Sequence, residues 1–348
     1  MSTERIIKVL IIEDDEFVSM VYEDQLKDAS SINFETEIYQ TLGEGLSAFK
    51  NHQFDVLLLD LNLPDSEYMN TINSIPEFSE NIPVIIMTST NSELLALKAV
   101  NLGGQDYLIK GNLEKSLLVR SILYAIERHN LKKELKEAKL KSDKLLNNIL
   151  PVSISEELKS SGNVKAKYFD EVSVMFVDFV NFTKISSSLN PEQLVEELHI
   201  CFSAFDEICA NLGIEKIKTI GDAYMCVGGI PERQPGHVIH LVQAAKLMME
   251  FIKNRYSELE LQGKVFWKAR AGIHVGPAVA GVVGSKKFTY DIWGDTVNTA
   301  SRIESNSEPG RINLSETAYV IAKEKFNCTY RGEIEVKGKG KVKMYFLE

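Results

Sequence analysis

The stretch "EKSLLVRSILYAIERHNLKKELKEAKLKSDKLLNNILP", from Glu114 to Pro151, contains no glycine and meets its first proline only at its end. Glycine and proline are the residues that interrupt helices, whereas the Lys, Glu and Leu that fill this stretch favour them. It therefore predicts one long helix that separates the chain into two regions. Leu131, Leu135, Ala138, Ser142, Leu145 and Ile149 recur at alternating spacings of four and three. That is a heptad seam, which predicts a parallel dimer helix in preference to a helix packed on its own domain. A chain of 348 residues is long enough for two domains and such a connector.

Composition excludes several function classes. The net charge of -10 argues against a general nucleic-acid binder, since phosphate backbones attract clustered Lys and Arg, but it leaves room for a local basic pocket. Cys201, Cys209, Cys226 and Cys328 form no CxxC pair and read as reduced core residues, which fits a reducing cytoplasm. No apolar run reaches membrane-spanning length and no secretory layout opens the chain, so the expectation is a cytoplasmic protein with no membrane partner.

Before the helix, "IIKVLII", "FDVLLLDL", "IPVIIMTS" and "GQDYLIKG" alternate with amphipathic segments such as "FVSMVYEDQLKDA" and "SELLALKAVNLG". Near-continuous Val, Ile and Leu is what a parallel sheet covered on both faces requires, so residues 1–125 are expected to form a doubly wound α/β domain. Chemistry in such a sheet sits at the carboxyl ends of the strands. Those ends carry Glu13, Asp14 and Asp15, then Asp60, then Thr88 and Ser89, then Lys110. Converging carboxylates suit an oxygen-bound Mg²⁺, beside which Asp60 could act as a nucleophile toward a phosphoryl group held by Lys110 and the Thr88 hydroxyl. Across residues 1–125 these features resemble the receiver domain of two-component response regulators, a flavodoxin-like fold. The resemblance implies that Asp60 is the phospho-acceptor and that Glu13, Asp14 and Asp60 hold one Mg²⁺. It further implies that Thr88 and Tyr107 switch position, that Lys110 is the family's lysine, and that a sensor histidine kinase is the phosphodonor. One departure is Gly111, where the family usually has proline.

After the helix the pattern changes to that of an α+β domain with a mostly antiparallel sheet. Asp178 closes the apolar run "VSVMFV". Asp222 follows Gly221 in "KIKTIGDAYM", where a tight hairpin can aim it at the neighbouring strand end. Two carboxylates so placed suit two-metal phosphoryl transfer. Asn298 and Arg302 are four apart on a helical stretch and project from one face. Lys337 lies in "EVKGKGKVK", where Gly338 and Gly340 would let backbone approach phosphates. Arg270 ends a strand and could reach a terminal phosphate.

"FVDFVNFT", "KIKTIGDAYM", "YDIWGDTVNTASRIES" and "VKGKGKV" together resemble the catalytic domain of class III nucleotide cyclases, and "LLNNILP" resembles the transducer segment that precedes it. The resemblance implies a ferredoxin-like α+β fold acting as a head-to-tail homodimer with active sites between protomers. It implies Asp178 and Asp222 as ligands of two Mg²⁺ (or Mn²⁺) per site, Lys218 and Asp291 as base readers, and Asn298 as the ribose-orienting residue. Arg302 would stabilise the transition state and Lys337 would contact the triphosphate. Asn181 departs from the family's usual glycine.

Adenine offers an amino donor for Asp291 and a ring-nitrogen acceptor for Lys218, whereas guanine reverses the pattern and would leave buried groups mismatched. The expected organisation is a receiver at 1–125, a helical coiled-coil linker at 126–151 and a cyclase domain at 152–348, converting ATP to cyclic AMP and pyrophosphate under the control of Asp60 phosphorylation. The competing expectations are a guanylyl cyclase, or a catalytically inactive phospho-responsive dimerisation module. The second would be expected to lack one of Asp178, Asp222, Asn298 or Arg302, and all are present. A diguanylate cyclase is disfavoured because no GGDEF-like stretch occurs.

Overall fold

The computed structural model describes residues 6–29, 32–88, 98–111, 113–187, 190–264, 266–284, 286–336 and 338–348. They fall into two units, Met1–Ser142 and Asp143–Glu348. Of the residues singled out above, Ser89 and Lys337 lie outside the described set, as does the first half of "SELLALKAVNLG".

In the first unit β1 (Ile6–Ile12), α1 (Glu16–Lys27), β2 (Asn33–Tyr39), α2 (Leu42–Asn51), β3 (Val56–Asp60), α3 (Tyr68–Ser79), β4 (Val84–Thr88) and β5 (Asp106–Ile109) precede the long α4 (Lys115–Asn147), whose residues from Asp143 on belong to the second unit. All the strands pair in parallel, in the order β2-β1-β3-β4-β5. The reason is visible in the strands. Leu10, Ile12, Leu57, Leu59, Val84 and Ile86 enter one core, and Val9, Ile11, Leu58, Ile85 and Met87 enter another, so the sheet is covered on both faces. The second strand, "NFETEIY", has no continuous apolar run; it is an edge strand with most of its side chains half-buried or exposed. Ile12 pairs with Leu59, which brings the residues that follow β1 level with Asp60. Asp15 caps α1, accepting from the Phe17 and Val18 amides at 2.9 and 3.1 Å.

In the second unit α5 (Val152–Ser161) leads to β6 (Lys167–Val180), α6 (Phe182–Ser186), α7 (Pro191–Leu212), β7 (Glu215–Ile220), β8 (Ala223–Gly228), α8 (His237–Leu261), β9 (Lys268–Val283), β10 (Thr289–Trp293), α9 (Asp295–Ser305), β11 (Ile312–Ser315), α10 (Glu316–Ala322), β12 (Cys328–Val336) and β13 (Gly340–Leu347). The sheet order is β12-β13-β11-β9-β6-β8-β7, with β10 beside β9, and among the described residues only the β11–β9 pair is parallel. Met175, Val177 and Phe179 of β6 pack with Cys201, Phe205, Cys209, Leu241 and Met248 from α7 and α8. The alternate residues Val174 and Phe176 join Leu150, Tyr290, Ile292 and Ala300 on the other face. Cys201, Cys209 and Cys226 are buried and, with Cys328, are free thiols. The loop after β6 turns on Asn181, which adopts φ 60°, ψ 25°. Asparagine is among the few residues other than glycine that enter this left-handed region readily, so the departure from the family's glycine keeps the turn.

Candidate functional site

The first site lies at the strand ends of the parallel sheet. Glu13 and Asp14 leave β1, Asp60 ends β3, and one carboxylate oxygen from each lies within 4.8 Å of the others. Lys110 leaves β5 and sends Nζ to Glu13 Oε1 at 2.7 Å and Asp60 Oδ2 at 2.9 Å. Glu13 and Asp60 are only 1% and 5% exposed. Burial lifts the pKa of both carboxyls, Asp60 adds its repulsion to Glu13, and the Lys110 bonds work in the opposite direction. For Lys110 burial alone would depress the ammonium's pKa, yet the bonds to Glu13 and Asp60 outweigh it and the net direction is upward. Three hard oxygen donors with one lysine leave an uncompensated negative site, which fits a divalent cation of the Mg²⁺ type. Thr88 is buried at the end of β4, and its carbonyl accepts from the Lys110 amide at 2.8 Å. Tyr107 sits on β5 opposite Ile86 and packs half-buried against the core that holds Leu59. At Gly111 the backbone has φ +104°, which glycine adopts freely.

The second unit builds its chemistry from the middle of its sheet. Asp178 on β6 stands opposite Arg270 on β9, and Val177 pairs with Tyr224 of β8. The β7–β8 hairpin closes on Gly221 and Asp222, with Ile220 paired to Ala223 and Gly221 at φ +64°. Asp222 therefore faces Asp178: burial lifts its pKa, the Asp178 charge and a bond to that carboxylate lift it further, and Arg270 pulls the other way. Arg270 is shared. Its Nη2 donates to Asp178 Oδ2 at 3.3 Å and its Nε to Glu304 Oε1 at 2.7 Å.

Lys218 on β7 makes an ion pair with Asp291 on β10. Asn298 and Arg302 lie one turn apart on α9; Asn298 is exposed, Arg302 half-buried. The Arg302 guanidinium faces the glycine turn between β12 and β13, where a Cβ at Gly338 would lie 3.7 Å from Nη1. Lys339 of that turn pairs with Asp295 at the start of α9. Arg270, which from its place at a strand end could reach a terminal phosphate, is engaged by both Asp178 and Glu304. Glu304 carried no expectation, although it sits two residues after Arg302 in "SRIES". The available signal was Gly272, two residues after Arg270: a Cβ there would collide with the Glu304 backbone, so only glycine lets α9 seat its last turn on β9.

Residues 164–348 match the model of the adenylate and guanylate cyclase catalytic domain, more than half of the chain, and residues 9–122 match the response regulator receiver domain. The chain belongs to the class III nucleotide cyclases. This cyclase carries its receiver on the same polypeptide. It is 40% identical over 261 residues to the receptor-type guanylate cyclase gcy-23 of Caenorhabditis elegans, covering 72% of this chain and 24% of that protein. It is 43% identical over 208 residues to an adenylate cyclase of Mycobacterium bovis, covering 60% of this chain and 46% of that one. The cyclase chain thus spans less than half the length of these curated relatives. Among solved structures, the adenylyl cyclase CyaB of P. aeruginosa superposes with a TM-score of 0.51 at 29% identity, over 53% of this chain and 96% of that one. Relatives of both substrate classes are therefore present. Among the described residues no helix is long and apolar enough to cross a membrane.

Proposed function

We propose that this response-regulator cyclase acts on ATP, forming cyclic AMP and pyrophosphate. The observation that carries the choice of nucleotide is the Lys218–Asp291 pair. A carboxylate and an ammonium held side by side match the amino donor and ring-nitrogen acceptor of adenine. Guanine would set its carbonyl against the carboxylate, and a site built for hydrogen bonding rejects such a mismatch by on the order of 10⁴-fold. The test is incubation of the purified chain with ATP or GTP and Mg²⁺ or Mn²⁺, with product identification. Cyclic GMP as the main product would replace this reading with a guanylyl cyclase; no cyclic nucleotide at all would leave the inactive dimerisation module.

In the proposed reaction the ribose 3′-hydroxyl attacks the α-phosphorus in line and pyrophosphate leaves. Asp178 and Asp222 would hold divalent cations, two per site, which when bound would acidify that hydroxyl and offset the triphosphate charge. The mutual repulsion of these two carboxyls supports the fit. Asn298 would orient the ribose. Arg302 would meet the charge that builds at five-coordinate phosphorus, an interaction stronger in the transition state than in the ground state. Lys337 and Arg270 would bind the polyphosphate.

The antiparallel arrangement of β6, β8 and β9 under α7 and α8 is consistent with a ferredoxin-like description. Leu131, Leu135 and Leu145 of α4 are 55–71% exposed in the single chain, which supports a coiled-coil seam that a second copy would cover; Ile149 lies beyond the helix end at Asn147. The active sites would then form between the protomers of a homodimer. Phosphorylation of Asp60 by a histidine kinase would change the receiver surface and bias that dimer through α4.

A further inference from the structure

The Arg270 guanidinium stands between two carboxylates that hold it unequally. The bond from Nε to Glu304 is 2.7 Å, and the bond from Nη2 to Asp178 is 3.3 Å. Glu304 is also the more fixed of the two. It is 5% exposed, its backbone rests directly on Gly272 of β9, and the preceding carbonyl of Ile303 accepts from the buried Asn313 amide at 2.7 Å. Its second carboxylate oxygen accepts from Ser305 Oγ at 3.2 Å. Asp178 by contrast faces Asp222 and is the side of the arginine that a cation would claim.

We propose that Glu304 is a positioning residue for the Asp178–Asp222 pair, anchoring Arg270 through Nε so that its Nη groups can leave Asp178 when a divalent cation arrives. This rests on the cyclase reading of the site and adds to it a residue that touches neither cation nor nucleotide. A guanidinium is planar, permanently charged and carries five donors. With Nε tied to Glu304, the group turns about a fixed point and exchanges Asp178 for an anionic ligand at small cost. Without the Glu304 charge, the nearest compensation for Arg270 is Asp178 itself, and a bidentate pair there would compete with the cation. Gln keeps an acceptor for Nε and nearly the same volume but removes that pull.

The experiment measures Mn²⁺ binding to the full chain by electron paramagnetic resonance, in the absence of nucleotide. The cyclase sites are those that Asp222→Ala abolishes, which separates them from the receiver site. Glu304→Gln is expected to weaken Mn²⁺ binding at these sites about tenfold with Arg270 present, and by less than about twofold when Arg270 is replaced by Met, the coupling a double-mutant cycle detects. Three results overturn the inference: unchanged binding in Glu304→Gln, equal loss in both arginine backgrounds, or no Mn²⁺ site that Asp222→Ala removes. Equal loss would mark Glu304 as a bulk charge or a fold residue. A wild-type chain that makes no cyclic nucleotide would sink the catalytic reading instead, while the binding cycle would still decide the role of Glu304.

Discussion

Lys218 pairs with Asp291, 73 positions away, although Asp222 lies only four residues along the chain. The hairpin explains the choice. Lys218 lies within β7 opposite Met225, while Asp222 occupies the tip and faces Asp178 at the end of the next strand but one. One short segment thus edges two chemically distinct places. The side chains of Lys218 and Asp291 are 35% and 13% exposed, so a base that displaced water there would have to match both groups.

The first prediction concerns that match. Lys218→Met and Asp291→Ala should each lower kcat/KM for ATP by about 10–100-fold, the cost of leaving one buried partner unpaired. Lys218→Glu with Asp291→Cys, which removes the adenine pattern and offers guanine an acceptor, should shift the ratio of kcat/KM values toward GTP. Steady-state kinetics with both nucleotides checks this; an unchanged ratio in the double variant would remove the pair from substrate recognition.

His274 supplies a pH prediction. Burial, with the Lys339 charge added, pushes its imidazole down from 6.5 to about 4, and its Nδ1 shares a 2.8 Å hydrogen bond with Ser315 Oγ. A folded-state pKa below the unfolded one means that the neutral ring's contribution is fully present above about pH 6.5. It is lost as pH falls toward about 4. Denaturant midpoints of the wild type should decline over that window, and those of His274→Gln should decline less. The same depression argues against His274 as a proton carrier near neutrality.

How far the sequence reveals this molecule depends on what kind of interaction fixes each part. β1, β3 and β4 are legible because burial on both faces demands uninterrupted Val, Ile and Leu. β2 is not, because an edge strand needs only alternation and "NFETEIY" reads equally well as loop. Asp15 has the same chemistry as Glu13 and Asp14, and only the local amide geometry turns it into a helix cap. The adjacency of Asp178 and Asp222 follows from a strand end and a glycine turn, both local signals. The Glu304–Arg270 bond joins residues 34 positions apart through helix-on-sheet packing, which leaves no periodic trace except the glycine beneath it.

The receiver cluster predicts a cation-dependent acid profile. Glu13 and Asp60 titrate above their ordinary values of 4.5 and 3.8, chiefly because they are buried. A raised carboxyl pKa stabilises the fold below the ordinary value and gives that contribution up as pH rises through the folded value. Without divalent cation the receiver's melting temperature should therefore fall as pH rises out of the ordinary carboxyl range, and added Mg²⁺ should reverse most of the loss. Asp60→Asn, which removes one of the crowded charges, should flatten the cation-free profile and abolish transfer of phosphate from a small-molecule phosphodonor. A profile that neither Mg²⁺ nor Asp60→Asn alters would separate these carboxylates from any cation.

The last prediction tests whether the sites are shared between protomers. Arg302 lies on α9 against the β12–β13 turn, and Asp222 tips the β7–β8 hairpin. In a head-to-tail dimer the arginine of one copy would complete the site that holds the other copy's aspartates. Arg302→Ala should lower kcat by about 10²–10³-fold with little change in KM, as expected for a group acting mainly in the transition state. Asp222→Ala should abolish turnover through loss of the cations. Mixing the two inactive variants should restore activity, because half-mutant dimers retain one site with both residues intact. Charged substitution at two seam positions, Leu135→Asp with Leu145→Asp, should prevent that rescue by lowering dimer formation, read as a shift to the monomer in analytical ultracentrifugation. Mixed dimers confirmed by mass that show no rescue would place Asp222 and Arg302 in the same protomer's site, and the interface would then have to act on catalysis by some route other than shared residues.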